Sequence, residues 1–186
     1  SLGAGILESF LQSVSARTAG FYSVELGKIK ESTALVLIIL MFIGGSPGST
    51  AGGVKTTTFA VLLLATVSVI KNEKEPVIFK RRISDQNIKK ALSIVFISMF
   101  IVLIVSFFIS LIDGFSFIDI LYETVSALAT VGATRGITPE LSKIAKILIG
   151  FCMYLGRVGP MTMAFAFGLK TDEKLIRYPE SFISIG

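Results

Sequence analysis

The chain contains no histidine, and its single cysteine, Cys152, sits inside an apolar run. These absences exclude histidine-dependent catalysis, zinc sites built on Cys or His, and a disulfide framework. Charge is also scarce. Only 17% of residues are charged, against about a quarter in an ordinary soluble domain. The first residues, SLGAGILESFLQS, lack the basic start of a signal peptide. No span carries paired carboxylates, so a membrane enzyme has no acid–base constellation to work with.

What the chain has in abundance is apolar sequence: 52% of its 186 residues are hydrophobic and its mean hydropathy is +0.78. Ala91–Ile112 runs for 22 residues without a charge. A hydrocarbon core about 30 Å thick needs about 20 such residues in a helix, so this segment is expected to cross a membrane. Three other apolar stretches differ from it in telling ways. Leu2–Ser15 and Phe117–Ala129 are too short to cross. Thr33–Ile70 is long but broken by Gly44, Gly45, Ser46, Pro47, Gly48, Ser49, Thr50, Ala51, Gly52 and Gly53. Ile144–Leu169 spans, with Gly156-Arg157-Val158-Gly159-Pro160 at its middle.

These segments repeat. At an offset of 112, Thr18-Ala19-Gly20 falls on Thr130-Val131-Gly132, and Met41-Phe42-Ile43-Gly44 falls on Met153-Tyr154-Leu155-Gly156. Each copy reads as a short helix ending in Thr-x-Gly, then a spanning helix interrupted by glycines. The span Ala91–Ile112 precedes the second short helix, and its counterpart in the first copy would end before Ser1. The expectation is therefore a fragment whose first copy lacks its leading helix, with further copies upstream.

The net charge of +5 comes with clustering. Lys71–Lys90 holds seven basic residues against three acids, and the tail adds Lys170, Lys174 and Arg177. Beside a membrane span, the positive-inside rule explains this better than nucleic-acid binding does, and it places both segments in the cytoplasm. Both short helices then dip in from the outer face, and the repeats are parallel.

A helix too short to cross, followed by Thr-x-Gly, reads as a re-entrant pore loop. Irregular backbone at membrane depth needs protein or a water-filled path around it. Glycine permits the angles that turn carbonyl oxygens to an axis, where they replace a cation's hydration shell. The bland alternative is a pair of amphipathic surface helices, which the repetition disfavours. Gly44–Gly53 approaches a phosphate-binding loop, but Val54 separates Gly53 from Lys55 and no strand precedes it. A plain kink for helix packing is its structural alternative. Arg157, costly at a span's centre, has to face protein or water. Glu123, Arg17 and Arg135 are candidates for bracing the loops.

Ser13–Phe21 (SVSARTAGF), Gly44–Thr58 (GGSPGSTAGGVKTTT) and Leu155–Thr162 (LGRVGPMT) resemble the Trk/Ktr/HKT superfamily of potassium transporters, most of all its bacterial KtrB-type membrane subunit. The resemblance covers essentially the whole chain and matches the last two of four M1–pore–M2 units. It implies an all-α polytopic membrane protein with repeats around a pseudo-fourfold pore. On this reading residues 1–70 are the third repeat without its M1, 71–90 a basic cytoplasmic linker, 91–169 the fourth repeat, and 170–186 a cytoplasmic tail.

The resemblance also implies roles. Thr18, Ala19, Gly20 and Phe21, with Thr130, Val131, Gly132 and Ala133, match the potassium filter. Gly44–Gly53 matches a gating loop in the permeation path, and Arg157 an arginine projecting toward the pore beneath the filter. Potassium is the implied cargo, with sodium as a coupling or activating ion and no organic cofactor. The implied partners are upstream repeats, a second copy in a membrane dimer, and a cytosolic nucleotide-binding regulatory ring. A sodium-selective or non-selective member of the superfamily, and a structural subunit without its own pore, are the competing readings.

Overall fold

The computed structural model describes residues 2–49, 51–73, 75–78 and 80–159. Thr50 of the glycine-rich stretch, Pro160 and the whole 170–186 tail lie outside the described residues. Six helices follow in order. They are α1 (Leu2–Ser15), α2 (Glu31–Phe42), α3 (Thr56–Ile70), α4 (Asp85–Ile112), α5 (Phe117–Leu128) and α6 (Lys143–Val158). A 3-10 turn over Leu26–Lys28 separates α1 from α2.

The two short helices fall where the apolar runs put them, and the glycine-rich stretch separates α2 from α3. The long helix differs at its start. It begins at Asp85 rather than Ala91, so Lys89 and Lys90 lie on its first turns. Charge stops a membrane span but does not stop a helix, and Asp85 in the first turn complements the positive end of the helix dipole. The rest of the basic segment contains a small hairpin that hydrophobic periodicity does not announce. Its strands are β1 (Val77–Ile78) and β2 (Arg81–Arg82), paired antiparallel with Val77 opposite Arg82. Lys80 takes a left-handed φ of 62° in the turn, and Arg82 bridges to Glu75 at 2.7 Å.

Helix α4 is long and apolar enough to cross a membrane, the one such helix among the described residues. Its buried stripe is mostly small: Ala91, Ser98, Val102, Val105, Ser106 and Ile109. Around that stripe Phe96, Phe100, Leu103, Phe107 and Leu111 are exposed. In water such a surface would be untenable. In a bilayer it is the ordinary lipid-facing side.

Helix α5 is the hub, with α2, α4 and α6 all packed against it. From Tyr122 to Leu128 every residue is buried. Tyr122, Val125 and Leu128 join one apolar cluster with Leu37, Met41 and Val102, while Ile120 and Ala127 join a second with Ile109, Ile149 and Cys152. Helix α1 is the opposite case: Ile6, Leu7, Phe10 and Val14 are exposed. The two repeats are thus alike in sequence and unlike in surroundings.

They also diverge at a matched glycine. In the first copy the chain leaves helix α2 just before Gly44, whose N–H donates to the Val54 carbonyl at 2.8 Å. At the equivalent Gly156, α6 continues to Val158, and the break comes at Gly159, with φ 93°. The expected interruption of both spans therefore holds at Gly44 and shifts three residues in the second copy.

Candidate functional site

Helices α1 and α5 each end in a Thr-x-Gly loop, and the two loops share an uncommon backbone. Thr18 (φ 76°) and Thr130 (φ 56°) are left-handed, as are Gly20 (φ 72°) and Gly132 (φ 81°). A β-branched residue at positive φ is a genuine outlier, costing about 1–3 kcal/mol and kept only where the surroundings enforce it. Ala19 and Val131, between them, are not left-handed. Such alternation gathers successive N–H groups on one side of the chain and leaves the carbonyls on the other.

The amides turn back onto the helix ends. Ala19 and Gly20 donate to the Ser15 carbonyl at 3.1 and 3.2 Å; Thr130 donates to Ala127 at 3.1 Å and Val131 to Ser126 at 2.9 Å. No backbone amide among the described residues donates to the carbonyls of Thr18, Ala19, Gly20, Thr130, Val131 or Gly132. Both helices also direct the partial negative charge of their C-termini at these loops, which favours a cation there.

The structure brings the two loops into contact. A Cβ on Gly20 would lie 2.4 Å from the Val131 carbonyl oxygen, a separation that real side chains do not adopt. Gly132 has open space around it, so its requirement is its positive φ alone. The residues that close each loop behave differently from those before them. The Ser126 hydroxyl donates to the Ala133 carbonyl at 2.7 Å, and the Ser15 hydroxyl donates to the Phe21 carbonyl. Each loop is thereby pinned to its own helix one residue past the glycine. The Phe21 ring itself is exposed and Ala133 is buried.

The serine pins were not among the residues singled out from the Thr-x-Gly match, yet a signal for them exists. At an offset of 111, one less than for the loops, Glu8, Gln12 and Ser15 fall on Asp119, Glu123 and Ser126. The helices repeat in one register, and the loops follow one residue out of step.

A polar web braces the second loop. Buried Glu123 accepts hydrogen bonds from Thr134 Oγ1, from the Arg135 amide at 3.1 Å, and from Thr138 Oγ1 at 2.9 Å. Arg135 Nε lies 2.7 Å from Asp119 Oδ1 on the same helix, and this arginine side chain is only 8% exposed. Buried carboxylates are tolerated only with such partners, and removal of one leaves a costly orphan. The Arg135 carbonyl also touches the first copy: a Cβ on Gly27 would sit 2.8 Å from it. Arg17, the third candidate brace, is exposed.

The glycine-rich stretch lies against the second loop. Its base is closed by a parallel bridge between Ile43 and Val54, and by Thr56 N–H donating to Gly45 at 3.2 Å. Within the stretch Lys55 Nζ donates to the Ala51 carbonyl, and the Ser49 hydroxyl to Ser46 at 2.6 Å. Gly48 and Gly53 take positive φ, and Gly53 packs on Ala129, where an added Cβ would lie 3.1 Å from Cα. Gly52 N–H donates to Thr130 Oγ1 at 2.9 Å. Gly44, Gly45 and Gly52 each lack room for a side chain.

Arg157 is exposed near the end of α6. It lines an open pocket of about 330 Å³ with Ser126, Ala127, Thr130, Val131, Gly132 and Met153. Thr130 is thus where the glycine-rich stretch, the second loop and the arginine pocket meet. Among the described residues, no cluster of three or more His, Cys, Asp and Glu is arranged to hold a metal.

Known proteins sharing this sequence all concern cation movement. The chain is 42% identical over 178 residues to the Ktr system potassium uptake protein B of Bacillus subtilis, covering 96% of this chain and 40% of that protein. It is 41% identical over 180 residues to the protein of the same name from Vibrio alginolyticus, covering 97% and 39%. It is 35% identical over 189 residues to the potassium/sodium uptake protein NtpJ of Enterococcus hirae, covering 97% and 42%. The chain therefore spans about two fifths of the length of these curated relatives. The model of TrkH, a cation transport protein, matches residues 1–178, and the chain belongs to that family.

Proposed function

We propose that this chain supplies two filter loops and the gate of a membrane protein that carries potassium into the cell. The observation that carries the reading is the matched pair of loops. Each holds a threonine and a glycine in the left-handed region, each turns its amides back onto a helix end, and the two touch at Gly20 and Val131. Carbonyls without amide partners at the negative ends of two helices suit a partly dehydrated monovalent cation. Thr18, Ala19, Gly20, Thr130, Val131 and Gly132 provide the ligands on this account. Phe21 and Ala133 close the loops, their carbonyls held by serines.

The Gly44–Gly53 stretch is the gate, lying against Thr130 at one end of the second loop, with Arg157 as a second barrier facing the same pocket. The protein is multi-pass with the basic Lys71–Lys90 segment and the C-terminus in the cytoplasm, as the charge distribution favours. A membrane dimer and a cytosolic nucleotide-binding ring follow from the superfamily resemblance. Two relatives bear the name of a Ktr system, which supports a multi-component assembly. A sodium-permeable version is the second reading, favoured by a relative named for potassium and sodium uptake and by the single glycine per Thr-x-Gly motif.

Flux into liposomes containing the full-length protein tests the assignment. Potassium entry exceeding sodium entry supports it, and equal entry of both favours the second reading. No cation flux from correctly inserted protein, with its regulatory partner supplied, overturns both. Repeating the assay with and without a sodium gradient shows whether sodium couples to transport.

A further inference from the structure

We infer that the Thr130 hydroxyl is the latch that holds the glycine-rich gate in place, which makes Thr130 a positioning residue of the gate as well as part of the filter loop. This rests on the filter-and-gate reading above. Gly52 and Thr130 are 78 residues apart in the chain, yet the Gly52 amide donates to Thr130 Oγ1 at 2.9 Å. The fit leaves no room for a side chain. A Cβ on Gly52 would lie 2.4 Å from that oxygen and 2.5 Å from Thr130 Cγ2.

Other bonds of the stretch are local. Gly44 with Val54, Thr56 with Gly45, Lys55 with Ala51 and Ser49 with Ser46 all close it on itself. They shape the loop without fixing where it lies. Gly52 to Thr130 is the hydrogen bond to another part of the chain that the described residues show for it, aided by Gly53 packing on Ala129. A hydroxyl oxygen has two lone pairs and one proton, so it accepts the Gly52 N–H at no cost to its own donor. The left-handed backbone at Thr130 belongs to the same arrangement, because it sets where the side chain leaves the filter loop. A threonine that the filter needs only for its carbonyl could be any residue tolerating that φ. The bond to Gly52 gives the hydroxyl its own use.

The test uses the full-length protein carrying Ser49→Cys, with the native Cys152 buried and unreactive. The labelling rate by a water-soluble maleimide in detergent reports how often the stretch leaves its seat. Thr130→Val keeps the branched shape and removes the acceptor. It should raise the labelling rate roughly fivefold, the weight of one net hydrogen bond, and raise potassium flux per inserted molecule. Thr130→Ser restores the hydroxyl and should return both towards the parent. Should Thr130→Val fail to insert, Gly52→Ala attacks the contact from the other side and should also speed labelling. Labelling at the parental rate in whichever variant inserts overturns the latch. If that result accompanies lost potassium preference in Gly132→Ser, the filter reading stands and only the latch falls. If Gly132→Ser also keeps its preference, both fall.

Discussion

Gly156 of α6 lies directly against the Leu128 carbonyl at the end of α5: a Cβ built on Gly156 would be 1.9 Å from that oxygen and 2.7 Å from its carbon. No rotamer change relieves such a contact, because both parties are backbone. The closeness has a consequence for the site. It sets the end of α5, and therefore Thr130 and Val131, at a fixed distance from the helix that carries Arg157.

Gly156→Ala should accordingly destabilise the full-length protein by about 1–3 kcal/mol, the usual cost of overpacking. The thermal midpoint in detergent reads this directly. Gly150→Ala on the same helix, where a Cβ would meet nothing within 4 Å, should leave the midpoint unchanged or slightly raised.

The serine pins give a second expectation. Ser126→Ala removes the donor to the buried Ala133 carbonyl, an orphaning worth about 1–3 kcal/mol. Potassium preference over sodium should fall because the loop's outgoing end is no longer held. Ser93→Ala makes a suitable control, since Ser93 donates to the Lys89 carbonyl at 2.9 Å on an exposed helix face. It should alter neither stability nor preference. Equal behaviour of the two variants would show that the pin at Ala133 does not position the loop.

How much of this was legible beforehand follows from the range over which each feature is encoded. Helices α1 and α5 and the break after α2 could be read because apolar run length and glycine clusters are local signals. Thr18 and Thr130 as left-handed residues could not, since threonine's own preference opposes that backbone and tertiary contacts impose it. Gly52 and Thr130 meet through a fold that separates them by 78 residues. The partners of Glu123 sit 11 to 15 residues onward in an irregular loop with no period to follow. The start of α4 at Asp85 was hidden because a search for uncharged spans stops at Lys90. Arg157 was visible by its charge alone, and its pocket with Thr130 is a matter of packing.

Arg157 carries a third expectation. A guanidinium beside a cation path raises the energy of a passing ion, the more so where the permittivity is below that of water. Arg157→Ala and Arg157→Gln should each increase potassium flux per inserted molecule, most clearly with the regulatory partner inactive. Arg157→Lys should be intermediate, keeping charge but losing the planar fork. Lower flux at equal membrane abundance would show that the arginine supports conduction or structure instead.

The central claim is that the two Thr-x-Gly loops select potassium, and the ratio of potassium to sodium flux in glycine variants tests it most directly. Gly132→Ser faces open space, so its penalty is the left-handed backbone, about 1–2 kcal/mol. Gly20→Ser adds a collision with the Val131 carbonyl to the same penalty. In liposomes matched for inserted protein, the ratio should fall several-fold in Gly132→Ser and further in Gly20→Ser, while total cation flux persists. A ratio unchanged from the parent in both variants would contradict the claim and remove these loops from the filter.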